Sequence, residues 1–520
     1  MSISSTTAAV LSTETDQERE NIRNEIQTAV RHMAVYGIGN ILAKALGFLM
    51  LPFYTHYLGP RDYGILEIID LSMTLFGLVL NMGLTPAFLR CYAAADSDQD
   101  KYKLVSTGCI FGVVTGALTF AIGVRFIRPA TLLLLGPTVP STYILLSFSA
   151  LVLNYAATLP RTYLRALDRA GTYTVVDTAG IGALLCLNIV FVAFLHTGLA
   201  GVLWSSLIVA SLQFITVSGW AYWKAGIRFD RAHLQRMLGF GIPLIFANMG
   251  LFILNFSDRW FLRHFWSLDV VGIYAVGYKF GFMMNYLFVQ PFFVMWQSRM
   301  YAIHAQVEHP NIFRQIFAVY GLGLVYAGLA MSIFSPEVVR LMVGRKFVSS
   351  QEVIPIVVAS YIFYGLSYYA QLGLFLTDKT RVIGVIGGVA AVLNLVFNYF
   401  LIGHYGMMGA AWSTLLSFAF ITAVSYWQSQ RAFRLPLGMG RVLIAMALAV
   451  GVYLLCRFWS PSSLWLTLAM KSSALVVFPI LVWKAGILPP SAAATLLAAR
   501  TEALARISRL GRIAYGRSVR

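Results

Sequence analysis

Glu67, Asp70, Thr74, Gly77 and Asn81 recur at spacings of 3, 4, 3 and 4, which puts all five on one face of a helix. The rest of that helix is Leu, Ile, Met, Phe and Val. Two acids within one turn are hard to hide in a helix–helix seam, so the face reads as the lining of a hydrated cavity. A second stripe, Asn154, Thr158, Arg161 and Arg165, has spacings of 4, 3 and 4. Its two arginines lie near a membrane surface, where simple anchoring accounts for them as well as substrate capture does. Further stripes align Asn248, Asn255 and Arg259, and then Lys279, Tyr286 and Gln290, both at i, i+7 and i+11. Lys44 follows Asn40 by one turn, and Lys471 lies in a later apolar run. A cation within an apolar span is a site candidate by default, its alternatives being a local partner or a long side chain reaching back to headgroups.

The elements that must position these residues are membrane-spanning helices. The chain has 520 residues, of which 58% are hydrophobic and 12% charged, with a mean hydropathy of +0.73. No water-facing surface could be built from so little charge. Fourteen apolar runs, from 34–58 to 465–483, are each long enough to cross ~30 Å of hydrocarbon. The expected fold is all-α and integral to the membrane, with about 14 transmembrane helices.

A net charge of +18 suggests nucleic acid at first, but its distribution points elsewhere. With the N-terminus inside, about two thirds of the Lys and Arg fall in cytoplasmic segments, the positive-inside pattern, which places both termini in the cytoplasm. Four scattered cysteines (Cys91, Cys109, Cys186, Cys456) form no disulfide framework or metal-ligand spacing. No Walker-type phosphate loop or His-Glu-x-x-His motif is present, so neither ATP-driven transport nor zinc hydrolysis is expected. No catalytic residue, metal or cofactor is expected.

The chain also repeats itself. Gly201-Val202-Leu203-Trp204-Ser205 returns as Gly409-Ala410-Ala411-Trp412-Ser413, Leu187-Asn188 as Leu393-Asn394, and Leu167-Asp168-Arg169 as Thr377-Asp378-Lys379. These offsets imply two six-helix lobes related by a parallel repeat, with two further C-terminal helices outside it. The expected organisation is a cytoplasmic segment 1–33, an N-lobe 34–223, a linker 224–238, a C-lobe 239–429, a helix pair 441–483 and a basic tail 484–520. That tail should lie on anionic phospholipids. Asp70 and Lys279 begin at similar depths, roughly 10–12 Å below the outer surface at 1.5 Å per residue. Pairing of Glu67 or Asp70 with Lys279 or Arg259 would close an external gate.

Gly241-Ile242-Pro243-Leu244, Asn255-Phe256-Ser257-Asp258-Arg259-Trp260 and Val271-Gly272-Ile273-Tyr274-Ala275-Val276-Gly277-Tyr278-Lys279 resemble polysaccharide-biosynthesis flippases of the Wzx type. So does Tyr57-Leu58-Gly59-Pro60-Arg61-Asp62-Tyr63-Gly64. Those flippases belong to the multidrug/oligosaccharidyl-lipid/polysaccharide exporter superfamily. The resemblance implies translocation of an undecaprenyl-diphosphate-linked oligosaccharide across the bacterial inner membrane by a transporter rather than an enzyme. It would work with the polymerase and glycosyltransferases of the same pathway. On that reading Lys44, Arg259 and Lys279 would meet the diphosphate, and Asn248, Asn255, Tyr274, Tyr278, Tyr286 and Gln290 the sugars. Glu67, Asp70 and Asn81 would bind a coupling proton or sodium ion, or form the gate.

Three other readings compete. A lipid II flippase has the same cavity logic. A multidrug or organic-cation antiporter would need an acidic cavity. A polysaccharide polymerase or ligase would favour a long external loop rich in acids, His or Arg, and the longest here, 125–140 and 336–351, hold few.

Overall fold

The computed structural model describes residues 47–487, except 49, 168–169, 306–308 and 460–462. Lys44, the segment 1–33 and nearly all of the basic tail therefore lie outside the described residues. Every element among the described residues is helical, as lipid requires: with no water to satisfy backbone N–H and C=O groups, each segment must satisfy its own.

In chain order the helices of the first part are α1 (Pro60–Leu80), α2 (Leu84–Ala93), α3 (Asp98–Gly123), α4 (Ser141–Ala156), α5 (Thr158–Ala166), α6 (Ala170–Asn188) and α7 (Gly198–Gln213). Then follow α8 (Arg231–Phe256), α9 (Asp258–Phe265), α10 (Leu268–Met284), α11 (Gln290–His304), α12 (His309–Met342) and α13 (Ile354–Ala370). The last are α14 (Thr380–Phe397), α15 (Gly403–Ala432), α16 (Met439–Phe458) and α17 (Leu464–Lys484).

Among the described residues, nine helices are long and apolar enough to cross a membrane, or ten if the bent pair Arg345–Glu352 and Ile354–Leu376 is one span. The fourteen runs of the sequence map onto this set unevenly. The first lies mostly outside the described residues. One of the nine helices, Thr380–Ala432, has 53 residues, about 80 Å at 1.5 Å per residue. It is interrupted at Gly406 (φ 56°, ψ −131°), so it supplies two crossings of a ~30 Å core. The runs at 239–262 and 271–297 are helical but broken, one at Ser257 between α8 and α9 and one by a π turn, Asn285–Val289.

The chain divides into two compact units, Met1–Met249 and Gly250–Arg520. In the first, α4 packs against α7 and α3, and one end is filled by Leu84, Phe88, Leu104, Cys109, Tyr163 and Met237. The linker expected at 224–238 begins within this unit. The Arg228 and Asp230 N–H groups donate to Ser106 Oγ (2.7 Å) and Thr107 Oγ1 (2.9 Å) of α3. Asp230 caps α8 by accepting from the Ala232 N–H at 2.8 Å, and this bond above all holds its carboxyl below the usual carboxylate range. In the second unit α13 packs along α15, and α12 packs on α16. Lys471 of α17 bonds both oxygens of Glu337 on α12, at 2.6 and 2.8 Å. That ion pair fastens α17, which lies outside the repeat, to α12 within the second unit.

The repeated motif has a structural reason. A Cβ on Gly201 would fall 2.2 Å from Thr197 Oγ1, and one on Gly409 would fall 2.1 Å from the Leu401 carbonyl oxygen. Each glycine lets its helix pass close to the turn before it. Ser205 and Ser413 are fully buried, while Trp204 and Trp412 stand about half exposed, at 49% and 46%. Both spans that precede the motif end in a π turn, Ile189–Phe194 and Asn398–Ile402.

Candidate functional site: a polar cavity in the first unit

Two of the polar stripes meet around a single cavity. Thr74, Gly77 and Leu78 from α1 and Asn81 at its end face Leu151, Asn154, Tyr155, Thr158 and Arg161 from α4 and α5 across about 520 Å³, with Gly83 and Pro86 completing the wall. Both contributing spans are broken here. Span two turns at Met82 (φ 47°) and Gly83 (φ 62°), and span four breaks at Ala157 between α4 and α5. A Cβ on Gly83 would fall 2.3 Å from the Gly241 carbonyl oxygen, and one on Gly241 would fall 2.2 Å from that of Met82. Backbone therefore packs directly on backbone, and only glycine fits on either side.

Most of the cavity's polar side chains are tied to their own helices. Thr74 Oγ1 donates to the Asp70 carbonyl (2.7 Å), Asn154 Nδ2 to that of Ala150 (3.0 Å) and Thr158 Oγ1 to that of Asn154 (2.9 Å). Their oxygens are left to accept from a ligand. Asn81 Oδ1 is buried and accepts no hydrogen bond. Arg161 uses the break in span four: its guanidinium donates to Asn154 O (2.9 Å), Ala157 O (3.4 Å) and Gln213 Oε1 (3.3 Å). All three acceptors are neutral.

The acids of the first stripe do not line this cavity. Glu67 is buried, at 6% exposure, and Asp70 is exposed. Thr74, Gly77 and Asn81 are the members that face the space.

In the second unit four candidates, Asn255, Arg259, Tyr274 and Tyr278, are brought together, but as a packed knot. Arg259 is 1% exposed. Its Nη1 donates to Asp258 Oδ1 at 2.6 Å and to the Asn255 carbonyl at 3.0 Å. Tyr274 donates a short hydrogen bond to the other Asp258 oxygen. The guanidinium lies 3.9 Å from the Tyr278 ring centre and 5.0 Å from that of Tyr274, a cation–π arrangement. Tyr278 shares a 2.6 Å hydrogen bond with Tyr361, which donates to Asn255 Oδ1 at 2.8 Å. The charge of Arg259 is thus already matched within its own unit.

Beside this knot lies a buried amide–hydroxyl network. Asn398 donates to Ser257 Oγ and Asn394 Oδ1, both at 3.0 Å, and Asn394 donates to Ser417 Oγ at 3.1 Å. Lys279 and Gln290 are partly buried, Tyr286 is exposed, and the Asn248 side chain lies outside the described residues.

Three residues were not singled out from the sequence. Asp258 adjoins Arg259 in the chain, a spacing that does not put two side chains on one helical face. Gln213 and Tyr361 lie 52 and 106 residues from Arg161 and Asn255, the side chains they contact. The Asn394/Asn398 and Ser413/Ser417 pairs at i, i+4 did carry a signal.

The family model described as polysaccharide biosynthesis protein matches residues 29–295. The chain belongs to the polysaccharide biosynthesis protein family. A Haemophilus influenzae protein of the Lsg locus is 22% identical over 259 residues, 48% of this chain, and the match spans only 61% of that relative's length. A Shigella flexneri protein named "Putative O-antigen transporter" is 21% identical over 409 residues, covering 75% of this chain and 94% of its own. The fold of this family member is similar to that of a lipid II flippase MurJ in an inward closed conformation, with a TM-score of 0.70 at 11% identity over 87% of this chain and all of that one. It is also similar to an inward-facing multidrug resistance transporter of the MATE family (TM-score 0.60, 13% identity, 75% of this chain and 94% of that one). The family member is a multi-pass membrane protein with the fold of flippases and exporters.

Proposed function

We propose that this chain carries an undecaprenyl-diphosphate-linked oligosaccharide across the bacterial inner membrane, for surface polysaccharide assembly. The observation that carries the reading is the cavity of the first unit: a largely apolar wall that presents a set of hydrogen-bonding side chains and one cation, with no carboxylate among its lining residues. Moving a hydroxyl from water into hydrocarbon without a partner costs about 4–8 kcal/mol. A glycan headgroup therefore needs such a wall at every stage of the crossing. Its diphosphate needs positive charge, which Arg161 supplies in the first unit and Lys279 in the second. Glu67, buried in an apolar span, is the group suited to take up a coupling proton.

The family match and the name of the Shigella relative support this choice of cargo. An organic-cation antiporter is disfavoured by the lack of an acid in the cavity wall. Lipid II export shares the headgroup chemistry, and the lipid that accumulates separates the two readings. In cells lacking this protein, lipid-linked repeat units should build up on the cytoplasmic leaflet. Build-up of lipid II alone would transfer the assignment to peptidoglycan, and an unchanged lipid pool would remove the flippase reading.

A further inference from the structure

The charges inside the described apolar helices are matched unequally. Arg259 has Asp258 at 2.6 Å and Lys471 has Glu337 at 2.6 Å. Arg161 has no carboxylate in ion-pair contact among the described residues. Its bonds go to two backbone carbonyls and one amide oxygen, and Asp177 acts on it only through space. Those three bonds occupy Nε and one hydrogen on each terminal nitrogen, leaving one further N–H on each. Two such donors in a fixed fork match the paired oxygens of a phosphoryl group.

The repeat shows that the fold does not itself demand this cation. The offset of 210 between Leu167-Asp168 and Thr377-Asp378 places Gln371 at the position of Arg161 and Phe375 at that of Arg165. Gln371 is buried, at 8% exposure, between α13 and the short helix Leu372–Leu376, a break four residues later in this register than the one at Ala157. A neutral amide therefore serves the same place in the second unit. The unfilled acceptor Asn81 Oδ1 lines the same cavity, facing the side that carries Arg161.

We propose that Arg161 docks the phosphoryl anion of the carrier lipid, with Gln213 steadying the guanidinium and the Asn81 and Asn154 oxygens receiving hydroxyls of the first sugar. The identity of the lipid rests on the flippase reading above; the anion site rests on the geometry. A half-buried guanidinium with no adjacent carboxylate loses hydration, and a bound anion offsets that loss.

Binding of farnesyl diphosphate to the purified full-length protein, in nanodiscs of phosphatidylcholine, tests the assignment. Wild type should bind it, with inorganic pyrophosphate competing. Arg161→Gln should weaken binding at least tenfold, and Arg161→Lys should weaken it less. Farnesol should show no dependence on residue 161. Gln213→Glu retains the arginine but supplies an internal counter-ion, so it should weaken diphosphate binding without unfolding the protein. Wild-type affinity in Arg161→Gln would overturn the proposal. So would recovery of binding in Arg161→Gln/Asp177→Asn, since Arg161 would then serve only to balance Asp177. Loss of the Arg161 dependence once phosphatidylglycerol is added would hand the site to bulk lipid headgroups and overturn the carrier assignment. If Arg161→Gln exports glycan normally while deletion still blocks export, this inference falls and the flippase reading stands.

Discussion

At the scale of single residues, an intramembrane charge is informative only once its partner is known. Arg259 and Arg161 are both visible in the sequence as cations on apolar helices. The break at Ser257 turns Asp258 against Arg259 and closes a knot with Tyr274 and Tyr278. The break at Ala157 gives Arg161 only neutral oxygens. Spacing alone cannot distinguish the two, because both partnerships depend on where a helix stops. Removing one member of a buried ion pair strands the other, at a cost of about 3–5 kcal/mol. Asp258→Asn should therefore sharply lower the thermal stability of the detergent-solubilised protein, as read by size-exclusion recovery after heating. Paired replacement of both residues by apolar side chains should recover much of the loss. Equal stability of Asp258→Asn and wild type would show that the pair does not carry the second unit's core.

At the scale of elements, helices were more legible than their interruptions. Lipid imposes long apolar runs, so the runs from 63–88 to 465–483 all fall on helical sequence. The breaks at Met82 and Ala157 do carry local markers, Gly83 at φ 62° and Pro160, whose ring opposes the Ala156 carbonyl, but packing decides how each is used. The clearest case is span two, whose turn is fixed by backbone contact between Gly83 and Gly241. A methyl group on either should force the two segments apart, an overpacking cost of about 1–3 kcal/mol. Gly83→Ala and Gly241→Ala should each reduce thermal stability and glycan export, whereas Gly182→Ala, where a Cβ meets open space, should do neither. Wild-type behaviour of both glycine variants would show that the close contact is dispensable.

At the scale of the whole molecule, the duplication was readable because its copies serve the same structural purpose. Gly201 and Gly409 admit a close turn, Ser205 and Ser413 are buried, and equivalent spans end in π turns. The polar stripes told where water-loving chemistry would occur, and two of them do share the cavity of the first unit. What the stripes could not tell was which members face that space: along one unbroken helix, Thr74 and Gly77 line the cavity with Asn81 just beyond the helix end, whereas Glu67 and Asp70, nearer its start, do not. The copies differ where the chemistry is proposed to occur, Arg161 in one and Gln371 in the other. The central claim is that this chain alone moves a lipid-linked glycan between leaflets. Proteoliposomes containing the purified protein and a lipid-linked oligosaccharide, treated with an external glycosidase, test it most directly. Wild type should expose the inner-leaflet glycan to cleavage, and Arg161→Gln should expose far less. Cleavage limited to the outer-leaflet half, with or without the protein, would contradict the claim.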